Sequence, residues 1–210
     1  MLKLENITII AVSSIKIDET IYALMESTKK IQFNAIKLIS HMLPKALPNN
    51  IIFEECPYID NIDKYSQYIM YDLNKHIQTN YCLLIQHDGY ILRPEKWDNI
   101  FLEYDYIGAP WPIKDNAYRT KLGEHVRVGN GGFSLRSKKL LDFPVKYDIP
   151  FLQEQGFYNE DGNLCVYNRD KLLELGIKYA PIEVAVKFSH ETTMDENRNI
   201  ESFGFHRNKK

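Results

Sequence analysis

The chain has 210 residues, with 26 Lys and Arg against 28 Asp and Glu, so its net charge is only −2 and its mixed charges give no electrostatic reason to expect nucleic acid as a partner. That length suits one substantial hydrophobic core, and no linker, repeat or low-complexity tract interrupts it, so a single domain over 1–210 is expected. No stretch approaches the roughly 18 uninterrupted apolar residues of a membrane span, and the N-terminus lacks the order of a signal peptide, which makes the cytoplasm the expected compartment.

The β-branched run Ile7–Val12 reads as a strand ending on Ser13-Ser14, followed by a helix capped by Asp18 with Ile21, Leu24, Met25 and Ile31 on its apolar side. Further strands are expected at Ala35–Ile39 and Ile51–Phe53. Ile62, Tyr65, Ile69, Leu73 and Ile77 then recur at helical spacing, predicting a long helix over Ile62–Gln78. It leads into Tyr81–Ile85, a continuous apolar run of the kind that forms a strand covered on both faces. This run stops on Gln86, His87 and Asp88. Ligands of open α/β sheets bind just beyond the carboxyl ends of strands, which makes these residues the first candidates for chemistry. Asp88-Gly89 is also a type I′ hairpin signal, and a tight turn and a rigidly held carboxylate are compatible readings of the same residues.

Arg93-Pro94 opens a short helix that buries Trp97, Ile100 and Phe101. Trp111, between two prolines, is a candidate for ligand contact, whereas Tyr106 is assigned to the core. Residues 116–127 are polar and read as a loop over the cleft. Gly129-Asn130-Gly131-Gly132 places three glycines in four positions, allowing close backbone approach or unusual backbone angles, and precedes a strand and a helix capped by Ser137. Asn159-Glu160-Asp161 starts a helix expected over Gly162–Leu175 and ended by Gly176. Its acids serve the helix terminus, and one facing the cleft can also take a proton from a hydroxyl. Strands are expected at Ile177–Ala180 and Val184–Phe188. Phe203-Gly204-Phe205-His206 precedes a basic tail, 207–210, expected to fray. Cys56, Cys82 and Cys165, widely spaced, suit reduced thiols better than a disulfide framework or zinc site.

Alternating strands and helices predict an α/β fold with a largely parallel sheet. Neither a G-x-x-x-x-G-K-[ST] loop nor a G-x-G-x-x-G fingerprint is present. Gln86-His87-Asp88, Gly-Ala-Pro-Trp at 108–111, Gly-Asn-Gly-Gly-Phe-Ser-Leu-Arg at 129–136, Asn-Glu-Asp at 159–161 and Phe-Gly-Phe-His at 203–206 together resemble the GT-A class of sugar-nucleotide-dependent glycosyltransferases, closest to its poorly characterised bacterial and fungal relatives. The resemblance implies a GT-A-like nucleotide-binding α/β/α sandwich with a mixed, mostly parallel central sheet. It implies a nucleotide-sugar donor, a glycan or other hydroxyl acceptor, and a divalent Mn²⁺ or Mg²⁺, in surface polysaccharide or glycan synthesis.

By position, the family's D-x-D motif falls on Gln86-x-Asp88, so Asp88 takes the metal-ligating place and Gln86 removes one charge. His206 matches the late histidine of the metal shell. Glu160 or Asp161 matches the acceptor-deprotonating acid of inverting members, with Asp161 favoured. Ser13, Ser14, Gln86, His87, Asn130, Gly131 and Gly132 are placed at the donor, and Trp111 at the acceptor. Two other readings stay open. A sugar nucleotidyltransferase would share the fold, although no Gly-rich basic loop follows the first strand. A nucleotide- or carbohydrate-binding module without catalysis would account for the missing first Asp.

Overall fold

The computed structural model describes residues 1–114, 118–120, 122–153 and 159–207. In chain order its elements are β1 (Leu2–Val12), α1 (Ile17–Thr28), β2 (Ile31–Ser40), β3 (Ile52–Glu55), α2 (Ile62–Tyr71), β4 (Tyr81–Ile85), β5 (Gly89–Ile91), β6 (Tyr106–Ile107), β7 (Phe133–Ser137), α3 (Lys138–Lys146), α4 (Glu160–Gly162), α5 (Arg169–Glu174), α6 (Ile182–Phe188), β8 (Ser189–His190) and β9 (Gly204–His206). The central sheet has the order β3-β2-β1-β4-β7-β6. Its first four strands are mutually parallel, and β7 runs antiparallel to both β4 and β6. This is the mixed, mostly parallel α/β sheet expected from the sequence.

The two-residue period of a strand explains why β1 and β4 read as unbroken apolar runs. Ile7, Ile9, Ala11, Leu83 and Ile85 join one core with Leu24 of α1 and Phe188 of α6, while Ile10, Val12, Cys82 and Leu84 join a second core with Tyr65 and Ile69 of α2. A third cluster, Tyr106, Leu140, Phe143, Leu164, Cys165 and Leu172, packs α3 and the segment after Glu160 together. The three cysteines are free and buried. Among the described residues, no helix is long and apolar enough to cross a membrane.

Several local expectations are corrected. Asp88-Gly89 does not make a type I′ hairpin: β4 stays in the central sheet, whereas β5 pairs with β9 in a second sheet of order β5-β9-β8. Neither Asp88 nor Gly89 has a positive φ. The turn is closed by Gly89 N–H donating to Gln86 O (3.1 Å), and Gly89 is required because a Cβ there would meet the Phe205 carbonyl at 2.9 Å. Asp18 lies in the first turn of α1, whose cap position is Lys16. The helix over Ile62–Gln78 stops at Tyr71 and tightens into a 3₁₀ turn, Leu73–His76, because Ile77 is already extended on its way into β4. The helix at Arg93-Pro94 is a pair of 3₁₀ turns, Pro94–Lys96 and Asn99–Glu103.

The strand expected at Val184–Phe188 is the helix α6. A short apolar run is ambiguous between the two forms, and here Pro181 supplies the carbonyl that Ala185 N–H reaches at 3.0 Å. The expected strand Ile177–Ala180 contributes only a bridge between Tyr179 and Tyr106. The helix expected over Gly162–Leu175 begins at Glu160 and is interrupted by a π segment, Asn163–Tyr167, with Asn168 N–H donating to Asn163 O at 3.0 Å. Gly176, at φ +82°, ends it as expected. Of the polar loop and the basic tail, residues 116, 117, 121 and 208–210 lie outside the described residues.

Ser137 caps α3 by accepting from Leu140 N–H (3.0 Å) and also donates to Asp105 Oδ1 (2.6 Å). Ser137→Ala is expected to cost about 1–2 kcal/mol, read as a lower urea midpoint with an unchanged slope.

Candidate functional site

Parallel pairing of β1 with β4 brings the loops after Val12 and Ile85 side by side, and antiparallel pairing of β4 with β7 places residues 129–132 against the same edge. Gln86 N–H donates to Gly132 O at 3.0 Å, which fastens the two ends together. Two cavities open here and share Ile62 and Gln86.

The first, about 370 Å³, is lined by Val12, Ser13, Ser14, Ile15, Lys16, Thr20, Ile59, Asp60, Asn61, Ile62, Tyr65, Gln86 and His87, with Asp60 paired to Lys64. Ile15 and Ile62, 65% and 50% exposed, flank it. Ser14 is buried, its hydroxyl accepting from Ile59 N–H (3.1 Å), while Ser13 accepts from Lys16 N–H (3.2 Å). Ser13 thus closes a local turn and Ser14 ties this loop to the Ile59 segment, and both residues line the slot.

The second, about 190 Å³, is polar and includes Trp111, Tyr118, Asn130, Gly131, Gly132, Glu160, Asp161, Glu191 and His206. Asn130 takes the left-handed conformation (φ 67°), which asparagine tolerates better than most residues. Its Oδ1 accepts from Gly132 N–H (3.1 Å) and its Nδ2 lies 3.1 Å from His206 Nδ1. Gly131 and Gly132 serve close approach: a Cβ at 131 would fall 1.9 Å from Glu160 Oε1, and one at 132 would fall 2.1 Å from His206 Nε2. The Trp111 indole lies against Gly129 and packs on Tyr118, with centroids 4.6 Å apart. Arg127 holds it from outside, Nε donating to Trp111 O at 3.0 Å.

The adjacent acids are separated by their surroundings. Glu160, 3% exposed, accepts from Arg136 Nη2 at 2.8 Å. Arg136 is fully buried, donates through Nε to Ser134 Oγ (3.0 Å) and stands over the Tyr106 ring at 5.2 Å. Asp161 faces the cleft, accepting from Gly131 N–H (3.0 Å) and Gly162 N–H (2.8 Å). Burial and then the charge of Glu160 raise its pKa to about 6, against the pull of those two N–H groups and Arg136.

Asp88 lines a neighbouring groove with Asp18, Glu19, Tyr22 and Arg207, but turns Oδ1 inward to within 3.4 Å of His206 Nε2. His206 holds the Asp88 carboxyl down to about 2. Burial opposes the imidazolium, yet Asp88 and Glu191 outweigh it and raise His206. Glu191 Oε1 is 3.1 Å from His206 Nδ1. His87 is 3.6 Å from Asp88 on the other side.

Glu191, Arg136 and Lys16 are the site residues that sequence reasoning did not single out. An arginine inside the apolar strand Phe133–Ser137 was a usable signal, since a buried guanidinium requires a buried partner. Glu191 had none, because its position depends on α6.

Arg136→Met leaves Glu160 buried and unpaired. The expected loss is about 3–5 kcal/mol, with most of it restored in Arg136→Met/Glu160→Leu, as measured by urea unfolding. Because folding raises the Asp161 pKa from about 4 to about 6, its contribution to stability is present below about pH 4 and lost as pH rises through 6. Asp161→Asn should accordingly gain stability over the wild type across that window and keep the gain at pH 8, measured as the difference in melting temperature.

No curated protein matches the chain by sequence. Among solved structures it is similar to the apo-form glycosyltransferase GlyE of Streptococcus pneumoniae TIGR4, with a TM-score of 0.50 and 12% identity over 96% of this chain and 54% of that one. At that identity the likeness shows a shared fold, and this chain spans about half the length of that structure. Residues 49–206 match the family described as "Protein of unknown function (DUF5672)", and the chain belongs to that family.

Proposed function

We propose that the chain is a glycosyltransferase that moves a sugar from a nucleotide-sugar donor to an acceptor hydroxyl. The observation that carries this reading is the meeting, at the carboxyl edge of β1 and β4, of a largely apolar slot with a polar cleft holding a carboxylate of raised pKa. Val12, Ile59, Ile62 and Tyr65 suit the flat face of a nucleobase. Asp161 suits a general base, since a group titrating near 6 is ionised at neutral pH and still accepts a proton readily.

Asp88 Oδ1 and His206 Nε2 are buried atoms without a hydrogen-bond partner, 3.4 Å apart. An oxygen and an imidazole nitrogen at that spacing fit a shared divalent cation. Among the described residues no group of three or more His, Cys, Asp or Glu surrounds such a position. This pattern suits Mg²⁺ or Mn²⁺, which are commonly held by one or two protein ligands together with substrate phosphates. Bound there, the cation would offset charge on the departing diphosphate. Glu191, on the far ring nitrogen, would orient His206 as metal-bound histidines are oriented elsewhere.

In the reaction, the acceptor oxygen forms a bond to the anomeric carbon while its proton passes to an Asp161 carboxylate oxygen. The bond from that carbon to the phosphate oxygen breaks, and its electron pair leaves with the nucleoside diphosphate. Attack from the face opposite the leaving group inverts the anomeric centre. Trp111, packed at a tilt on Tyr118 at the cleft wall, offers an apolar face to the acceptor. The amide of Gln86 in place of an acid favours one second reading, a nucleotide-binding module without turnover.

The experiment is a thermal-shift and turnover screen of UDP-, GDP-, CMP- and dTDP-sugars, with and without Mn²⁺, on wild type, Asp88→Ala and Asp161→Asn. One donor class should raise the melting temperature, as expected for about 2.7 kcal/mol at a hundredfold excess over Kd. The Mn²⁺ increment should disappear in Asp88→Ala, and turnover should fall about 10²- to 10⁴-fold in Asp161→Asn. Binding without product in the wild type would favour the module; no binding would remove the transferase reading.

A further inference from the structure

We propose that Lys16 is a phosphate-binding residue, its ammonium gripping the diphosphate of the bound nucleotide beside His87 and without need of a metal. The inference rests on the nucleotide reading above. β1 and β4 pair in register, Ala11 beside Ile85, so the loops leaving them meet at one edge. Lys16 stands at the end of the first loop and His87 in the turn after the second, and both line the 370 Å³ slot.

Lys16 Nζ lies 3.1 Å from His87 Nε2. An ammonium only donates, so Nε2 accepts in this contact, while Nδ1 lies 3.6 Å from Asp88 Oδ1. Lys16 is thus matched to an imidazole, whereas Lys29, Lys37, Lys64 and Lys75 are each matched to a carboxylate. Among the described residues, no carboxylate answers its charge.

Its position says what would. His87 lines both the slot and the groove that holds Asp88, so the phosphates of a nucleotide with its base between Ile15 and Ile62 pass Lys16 and His87 when they extend toward Asp88. A phosphate oxygen is a stronger acceptor for an ammonium than imidazole, because both partners are charged. Gln86, at the same junction, leaves one negative charge fewer to repel a polyanion. The slot therefore has a cation for the diphosphate that is separate from the two metal-type donors.

The test is calorimetry in EDTA with the best-binding member of UDP, GDP, CDP, ADP and dTDP, its parent nucleoside and inorganic pyrophosphate, on wild type, Lys16→Met and Lys16→Arg. Lys16 is exposed, so an unchanged melting temperature is expected and serves as the folding control. The wild type should bind the diphosphate more tightly than the nucleoside. Lys16→Met should weaken the diphosphate about tenfold or more, the scale of a lost charge-assisted bond, leave the nucleoside unchanged, and be largely rescued by Lys16→Arg. Equal diphosphate affinity in wild type and Lys16→Met would overturn the proposal. Lys16-dependent binding of pyrophosphate without any nucleoside binding would uphold the phosphate site and refute the nucleotide reading, and absence of all binding would refute both.

Discussion

A guanidinium taken wholly out of water has to be answered where it lies, and the answer given to Arg136 organises the centre of this molecule. Its partner is Glu160, the first residue of α4, so the ion pair ties β7 to the start of the segment that carries Asp161. The carboxylate of Glu160 fits directly beneath Gly131, where any Cβ would collide with it. Asp161 then accepts from the N–H of that same glycine. One backbone position is clamped from two sides by adjacent acids, and this is how a sequence pair, Glu-Asp, becomes one buried anchor and one cleft-facing carboxylate.

The same economy of backbone space recurs across the site. Gly132 gives up its side chain to the imidazole of His206 and its carbonyl to Gln86. Gly89 does so for the carbonyl of Phe205, which lets β5 leave the central sheet and pair with β9. Asn130 supplies a left-handed turn that a glycine would otherwise make, and its amide reaches both Gly132 and the ring of His206. Close packing of main chain, rather than loop flexibility, is what brings Gln86, Asp88, Asp161 and His206 within one small region.

The electrostatics divide the site into two halves with different tasks. Around Asp161, burial and a neighbouring anion favour the protonated acid, so the residue is costly to ionise. Around Asp88, His206 favours the anion, which keeps a charge in the groove that shares His87 with the slot. Lys16 and His87 continue this second half toward the apolar slot. The interruption of the helix by a π segment directly after Asp161 belongs to the same arrangement, since such segments are frequent beside functional positions.

The sequence by itself determined the sheet-forming runs, because Ile7–Val12 and Tyr81–Ile85 are too apolar to lie anywhere but between two cores. It also determined the cap at Ser137 and the stop at Gly176, both of which depend on local chemistry. It marked Gln86, His87, Asp88, the glycine run and the Glu-Asp pair as residues ending strands or starting helices at one edge. Tertiary structure decided what periodicity leaves open. It made Val184–Phe188 a helix, because Pro181 and the aromatic cluster beneath the sheet suit that form, and it sent β5 to a second sheet instead of a hairpin. It alone set the different surroundings of Glu160 and Asp161, since only packing reveals that Arg136 claims the first. It alone brought Glu191 to His206 and Lys16 to His87, contacts between residues far apart in the chain whose meeting depends on the order of the strands and on nothing that neighbouring residues encode.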